Sequence, residues 1–316
     1  MMREQLVVSS SPHVRDNTTV NQIMWSVVLA LLPAVIAAIY IFKMQAFFII
    51  LVTVLGSVLT EYVFQKIRGK SVTIGDGSAV ITGILLALTL PPTVPLWMAL
   101  LGSIVAIGLG KQVFGGLGYN PFNPALVGRA FLLVAYSGPM TKWTEYLNTG
   151  IDPSTGMDVM TSSTPLALMQ SEEVLTPYWQ LFMGNIGGSL GETSAFVLLL
   201  GAAYLIYKGY LNWRIPVSMV GTVFVLSFIL GKDPVFAVLA GGLILGAFYM
   251  ATDMVTSPIT KKGRWLFGLG AGIIVVVIRL GQSYPEGVLF SILLMNTTVP
   301  LLNRFTRPRS FGEVKK

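Results

Sequence analysis

Long apolar runs, separated by short polar stretches rich in glycine and proline, make up most of the chain. Ten such runs predict ten membrane segments, at about 24–42, 46–64, 78–90, 96–113, 124–136, 194–207, 215–230, 234–250, 265–280 and 287–302. The longer ones reach the roughly 17–20 residues needed to cross a hydrocarbon core about 30 Å thick. The third, fifth and sixth are short for a full crossing, as expected of helices broken or tilted inside a transport fold. Residues 1–23 show no n-region, h-region and cleavage site, so the first segment is expected to serve for insertion itself. The pattern divides the chain into a polar arm at 1–23, a five-span body at 24–136, a polar loop at 137–193, a second five-span body at 194–303 and a basic tail at 304–316. The fold class is an all-α polytopic membrane protein.

The basic residues orient these spans, because cytoplasmic loops retain Lys and Arg. With the N-terminus inside, sixteen cations fall on the cytoplasmic side, Lys66, Arg68, Lys70 and Lys111 among them. Only Lys43, Lys142, Lys232 and Arg279 fall outside, and Arg129 remains within a span. Both termini are then cytoplasmic and the 137–193 loop is on the outer face. A constant offset of 163 residues relates the two bodies: Gly83 aligns with Gly246, Thr89 with Thr252, Thr93 with Thr256, Pro95 with Pro258 and Leu126 with Leu289. Five spans per repeat is an odd number, so the second repeat enters the membrane upside down. Inverted repeats place a site or conduit near the midplane, between the halves.

Composition narrows the chemistry. Residues are 53% apolar and 11% charged, against about 25% charged in soluble domains. The chain has no cysteine and one histidine, His13. That excludes disulfides, thiolate-ligated iron–sulfur clusters, a cysteine nucleophile and a bis-histidine haem within this chain. No metal site and no catalytic residue is assigned. The net charge of +7 is explained by membrane orientation and calls for no nucleic acid partner. A cofactor that needs neither Cys nor His remains open, and a flavin qualifies.

Four stretches carry a family resemblance. Asp158-Val159-Met160-Thr161-Ser162-Ser163-Thr164 is similar to the flavinylation motif D-x-x-[ST]-G-A-T, with Ser162 and Ser163 in place of Gly-Ala. The others are the run from Gly115 to Arg129 through Asn120-Pro121-Phe122-Asn123-Pro124, the run from Tyr249 through Thr252 and Asp253 to Pro258, and the run from Asp76 to Gly83. Together they resemble the D subunits of the Rnf ion-translocating ferredoxin:NAD oxidoreductases, and the homologous B subunits of the sodium-translocating NADH:quinone oxidoreductases, over almost the whole chain. The resemblance implies a ten-span fold of two inverted five-helix repeats similar to urea transporters, located in a bacterial or archaeal cytoplasmic (inner) membrane. It implies FMN esterified through its phosphate to Thr164 by a flavin transferase, with Asp158, Thr161 and Ser163 as the recognition motif, and in some members a noncovalent riboflavin. It also implies partner subunits, including a second covalent-FMN subunit and iron–sulfur subunits.

The residues themselves leave alternatives open. Asn120 and Asn123 suit a helix cap or the polar edge of a second flavin. Arg129 must face the interior, with a structural pair to Glu61 or Asp76 as the default and tuning of a flavin as the sharper role. Asp253 and Thr252 form an oxygen-rich group that suits a cation or proton path or a simple helix-end cap. Glu61 could hold a counter-ion or extend to the cytoplasmic side, and it joins Asp253 and Thr252 as an ion-path candidate. The expected function is a flavoprotein subunit that couples electron transfer between ferredoxin and NAD to Na⁺ or H⁺ translocation, incomplete as an enzyme alone. The rivals are a quinone-reductase B-type subunit, a channel or transporter without a chromophore, and a structural anchor.

Overall fold

The computed structural model describes residues 18–142, 164–166, 169, 176–184, 187–192, 194–281 and 287–308. Among these residues the chain is all helical, with no strand. Three helices are long and apolar enough to cross a membrane: α1 (Val20–Ile67), α11 (Lys261–Leu280) and α12 (Val288–Phe305). Between α1 and α11 lie shorter helices: α2 (Ser78–Thr89), α3 (Leu96–Ile107), α4 (Pro124–Ala135), α5 (Ser137–Met140), α6 (Tyr178–Met183), α7 (Ala195–Tyr207), α8 (Arg214–Ile229), α9 (Pro234–Leu239) and α10 (Leu243–Leu245). The protein is a membrane protein by the length and composition of these segments.

α1 starts at a capping box. The Gln22 N–H donates to Thr19 Oγ1 at 3.3 Å, and the Thr19 N–H donates to Gln22 Oε1 at 3.0 Å. Its 48 residues would extend about 72 Å as one straight helix, more than twice a hydrocarbon core. Lys43 resolves this by adopting φ 56° and ψ −141°, which splits α1 into two membrane-length halves. The sequence places its first two spans at this same point.

α2 has 12 residues, about 18 Å of helix, and stops where Pro91, Pro92 and Pro95 cannot continue the ladder. The carbonyls it leaves unpaired are taken by the 187–192 segment: Leu190 N–H donates to Leu90 O at 3.1 Å and Gly191 N–H to Leu88 O at 2.6 Å. α3 continues as a π turn, Gly108–Gln112. The expected single span at 234–250 is corrected by the structure. α9 ends at Leu239, Gly241 takes φ +69°, and the helix resumes as α10 and a second π turn, Gly246–Met250. The Gly241-Gly242 pair breaks a run whose hydropathy alone reads as continuous.

Close helix crossings rest on small residues. A Cβ at Gly83 of α2 would lie 2.6 Å from Val54 Cα of α1, and one at Gly268 of α11 would lie 2.6 Å from Ile215 O of α8. The core is one continuous apolar cluster running from Val28 of α1 to Met295 of α12.

Candidate functional site

Two polar sites lie at opposite ends of α2. At its N-terminal end, α1, α2, the π turn after α3, the 113–123 loop and the segment around 248–255 enclose a cavity of about 790 Å³, open solvent included. Its lining is mostly apolar, with Ser78, Thr82, Lys111, Asn120, Asn123, Thr252 and Asp253 as the polar exceptions. A few polar groups converging on apolar walls are what orients a small molecule in such a site.

Behind one wall of the cavity is a buried ion pair. Lys111 and Glu61 are each 1% exposed, with Lys111 Nζ 2.8 Å from Glu61 Oε1 and 2.9 Å from Oε2. Lys111 also donates to Ser78 Oγ at 2.6 Å, while the Ser78 hydroxyl donates to Asp76 Oδ1 at 2.6 Å. Glu61 Oε1 accepts from Gln112 Nε2 at 2.9 Å and from Gln65 Nε2 at 3.2 Å. Gln65 is tied in turn to Thr73 at 2.9 Å. The π turn aims Lys111 inward, and Arg68 and Lys70 donate to the Gln112 and Gly115 carbonyls at its end.

This corrects two expectations. Glu61 holds a counter-ion, but the counter-ion is Lys111, not Arg129. Lys111 is no cytoplasmic loop cation, because the inward turn of the helix end carries it into the protein. The sequence signal was a lysine inside an apolar run after Gly108-Leu109-Gly110, facing an acid on a neighbouring span.

Asn123 is a cap and more. Its Oδ1 accepts from Ala125 N–H at 3.0 Å, starting α4 in front of Pro124, and its Nδ2 donates to Met250 O at 3.2 Å, where the second π turn ends. Asn296 of α12 completes the link, accepting from Asn123 N–H at 3.3 Å and donating to Thr256 O at 3.0 Å. Asn120 donates to Phe122 O at 3.1 Å, while its buried Oδ1 has no partner among the described residues. Thr252 bonds back to Phe248 O at 2.5 Å, and Asp253 caps its own turn through Val255 N–H and Thr256 Oγ1. Both still line the cavity.

The second polar site lies at the C-terminal end of α2. Arg129, Glu192, Thr89 and Gly242 line a small void there. Arg129 does not reach the cavity that holds Asn120 and Asn123. The carboxylate whose field it feels is Glu192, not Glu61 or Asp76. Arg279 feels the same carboxylate and donates to Ala237 O and Ala240 O at 2.5 and 3.0 Å. It is buried in the last turn of α11, not exposed in an outer loop. Gly188 and Gly242 make room for Glu192, since a Cβ there would sit 3.4 Å from Oε2 and 2.9 Å from Oε1 respectively.

Thr164 is buried, with 5% of its surface exposed, whereas accepting a flavin phosphate calls for an accessible hydroxyl. Two residues on, Leu166 packs in a small apolar cluster with Leu181 of α6 and Phe236 and Ala240 at α9. Asp158, Thr161 and Ser163 lie outside the described residues.

Known proteins resemble the chain over almost its full length. The family model described as the NQR2, RnfD, RnfE family matches residues 7–312. The D subunit of the proton-translocating ferredoxin:NAD(+) oxidoreductase complex of Clostridium ljungdahlii is 46% identical, with 96% of each chain covered. The D subunit of the Na(+)-translocating ferredoxin:NAD(+) oxidoreductase complex of Acetobacterium woodii is also 46% identical, over 98% of this chain and 96% of its own. The D subunit of the ion-translocating oxidoreductase complex of Stutzerimonas stutzeri is 39% identical over 93% of both. The chain belongs to the NQR2, RnfD, RnfE family.

Proposed function

We propose that this member of the family is the membrane flavoprotein subunit of a multisubunit complex that couples electron transfer between ferredoxin and NAD to Na⁺ or H⁺ translocation. The observation that carries the reading is the near full-length match to the D subunits of such complexes. The chain sits in a bacterial or archaeal cytoplasmic membrane with both termini inside and Thr164 on the outer face, beside a second covalent-FMN subunit and iron–sulfur subunits.

The proposed architecture is ten spans in two inverted five-helix repeats. The order of elements supports it. Shifted by 163 residues, α2 falls on 241–252, which holds α10 and its π turn, and α3 and α4 begin within two residues of α11 and α12. The halves of α1 then correspond to α7 and α8. The same shift brings Gly56 of α1, against which Ser103 of α3 packs, onto Met219 of α8, which packs against Gly268 of α11.

Thr164 supplies a hydroxyl followed by Pro165, which disfavours helix before it; transfer of FMN onto it by a dedicated transferase requires this buried hydroxyl to be exposed at that moment. The cavity at Asn120 and Asn123 is the proposed seat of a second, noncovalent riboflavin. Its walls are apolar, and the Asn120 Oδ1 with no described partner is an acceptor for a ring N–H. A flavin exchanges electrons one at a time or in pairs, and the protein's part is to position and tune it. Glu61, Asp253 and Thr252 stand on the ion route.

In-gel fluorescence of the denatured chain from its native membrane tests the reading. A fluorescent band that disappears in Thr164→Ala is expected. A dark band with the transferase active sinks the covalent flavin and leaves a channel, transporter or anchor in its place. Acid extraction of the native chain reports the second flavin, which should fall in Asn120→Leu while the covalent band persists. Equal yields from both chains would remove it from that cavity.

A further inference from the structure

The Lys111 ammonium stands among three side-chain oxygens, on a residue that lines the cavity. Both carboxylate oxygens of Glu61 and the Ser78 hydroxyl oxygen lie within 2.9 Å of it. These oxygens are held from behind. Gln65 and Gln112 fix Glu61 Oε1 from the far side, and the Ser78 O–H, spent on Asp76, leaves a lone pair facing inward. None of these supports depends on the lysine. The cavity wall includes both Lys111 and Ser78.

Across the cavity stand acceptors for a displaced ammonium. Asn120 is 5% exposed and its Oδ1 has no partner among the described residues. Asp253 lies on the same lining, within electrostatic reach of Lys111. The lysine sits on a π turn, an irregularity often retained at functional positions, and its side chain has a four-carbon flexible stem.

We infer that Lys111 is a tethered cation filling a binding site for a small alkali cation, built from the Glu61 carboxylate and the Ser78 hydroxyl beside the cavity. When the ammonium swings toward Asn120 and Asp253, the vacated oxygens take a monovalent cation, with water from the cavity completing its shell. Hard oxygen ligands around one negative charge suit such an ion. Its entry and the lysine's return are mutually exclusive, so each turnover of the site moves one charge in as another moves out. The inference rests on the placement of Glu61 on the ion route and deepens it, since it names the group that closes that route.

Removing the lysine should open the site permanently. The full chain in detergent micelles carries six tryptophans, whose fluorescence reports melting with no flavin chemistry or turnover required. The wild type is expected to melt at the same temperature in sodium chloride and in choline chloride of equal ionic strength. Lys111→Met should melt lower in choline and rise by about 3 °C or more in sodium, and Glu61→Gln added to it should abolish the rise. Lys111→Arg, which keeps a fixed cation, should show no sodium effect. If Lys111→Met aggregates in both salts, Lys111→Gln replaces it, with the same rise expected. A monodisperse Lys111→Met or Lys111→Gln chain whose melting ignores sodium, lithium and potassium overturns the inference. A fluorescent Thr164 band in that same chain would show that the flavin reading had survived the loss.

Discussion

At the scale of single residues, the Glu61–Lys111 pair decides more than any other contact. Two charges at 1% exposure have given up their hydration, and only good geometry with further hydrogen bonds offsets that loss. Here Gln65, Gln112, Ser78 and Asp76 supply those bonds. Deleting one partner leaves a bare buried charge, which costs about 3–5 kcal/mol, whereas deleting both is often close to neutral. In choline medium, Glu61→Gln and Lys111→Met should therefore each lower the melting temperature sharply, and the double variant should recover most of the loss. A double variant as unstable as the sum of the singles would mean that the two side chains do not act as a pair. The sequence makes Glu61 legible, because an acid inside an apolar run is costly anywhere in a bilayer. It does not make the partner legible. A lysine near a span end reads equally well as a surface cation, and only the inward π turn settles its direction.

At the scale of elements, the broken helices do the positioning. α2 stops after 12 residues, and its open end is closed by backbone from the distant 187–192 segment. The second π turn stops at Met250 and is closed by Asn123. Prolines 91, 92 and 95 announce the first break. Only Gly241-Gly242 marks the break at 240–242, inside a run whose hydropathy continues to Met250, so the sequence pattern shows the eighth span as whole. Glycine also sets how near the helices lie, and adding a methyl there forces overpacking of about 1–3 kcal/mol. Gly83→Ala meets α1 backbone at 2.6 Å and Gly268→Ala meets α8 backbone at 2.6 Å, while Gly221 has nothing within 4 Å. The first two substitutions should lower the melting temperature and Gly221→Ala should leave it unchanged or slightly raised. Three equal responses would show that these crossings do not limit stability.

At the scale of the whole molecule, Asn123 and Asn296 tie the start of α4 and α12 to the 250–256 segment, each binding a carbonyl where the helical path is interrupted. Relatives at equal identity to this chain are named for protons and for sodium, so a frame similar to this one occurs in complexes named for either ion. Orientation of that frame follows from loop charge. The span pattern puts Lys111 inside and Arg279 outside, and the structure buries both. Setting them aside leaves fifteen cations against three, which preserves the bias. The asymmetry thus survives both corrections. A periplasmic reporter enzyme fused after residue 150 should be active, and one fused after residue 308 should be inactive, while a cytoplasmic fluorescent reporter should give the reverse pattern at the two positions. Thr164 would then lie on the outer side, opposite the cavity at Asn120, and electrons passing between the two proposed flavin positions would cross part of the bilayer within this one chain. Activity of the enzyme reporter at 308 but not at 150 would invert the frame, placing the Lys111 site on the outer side and requiring ions to enter it from there.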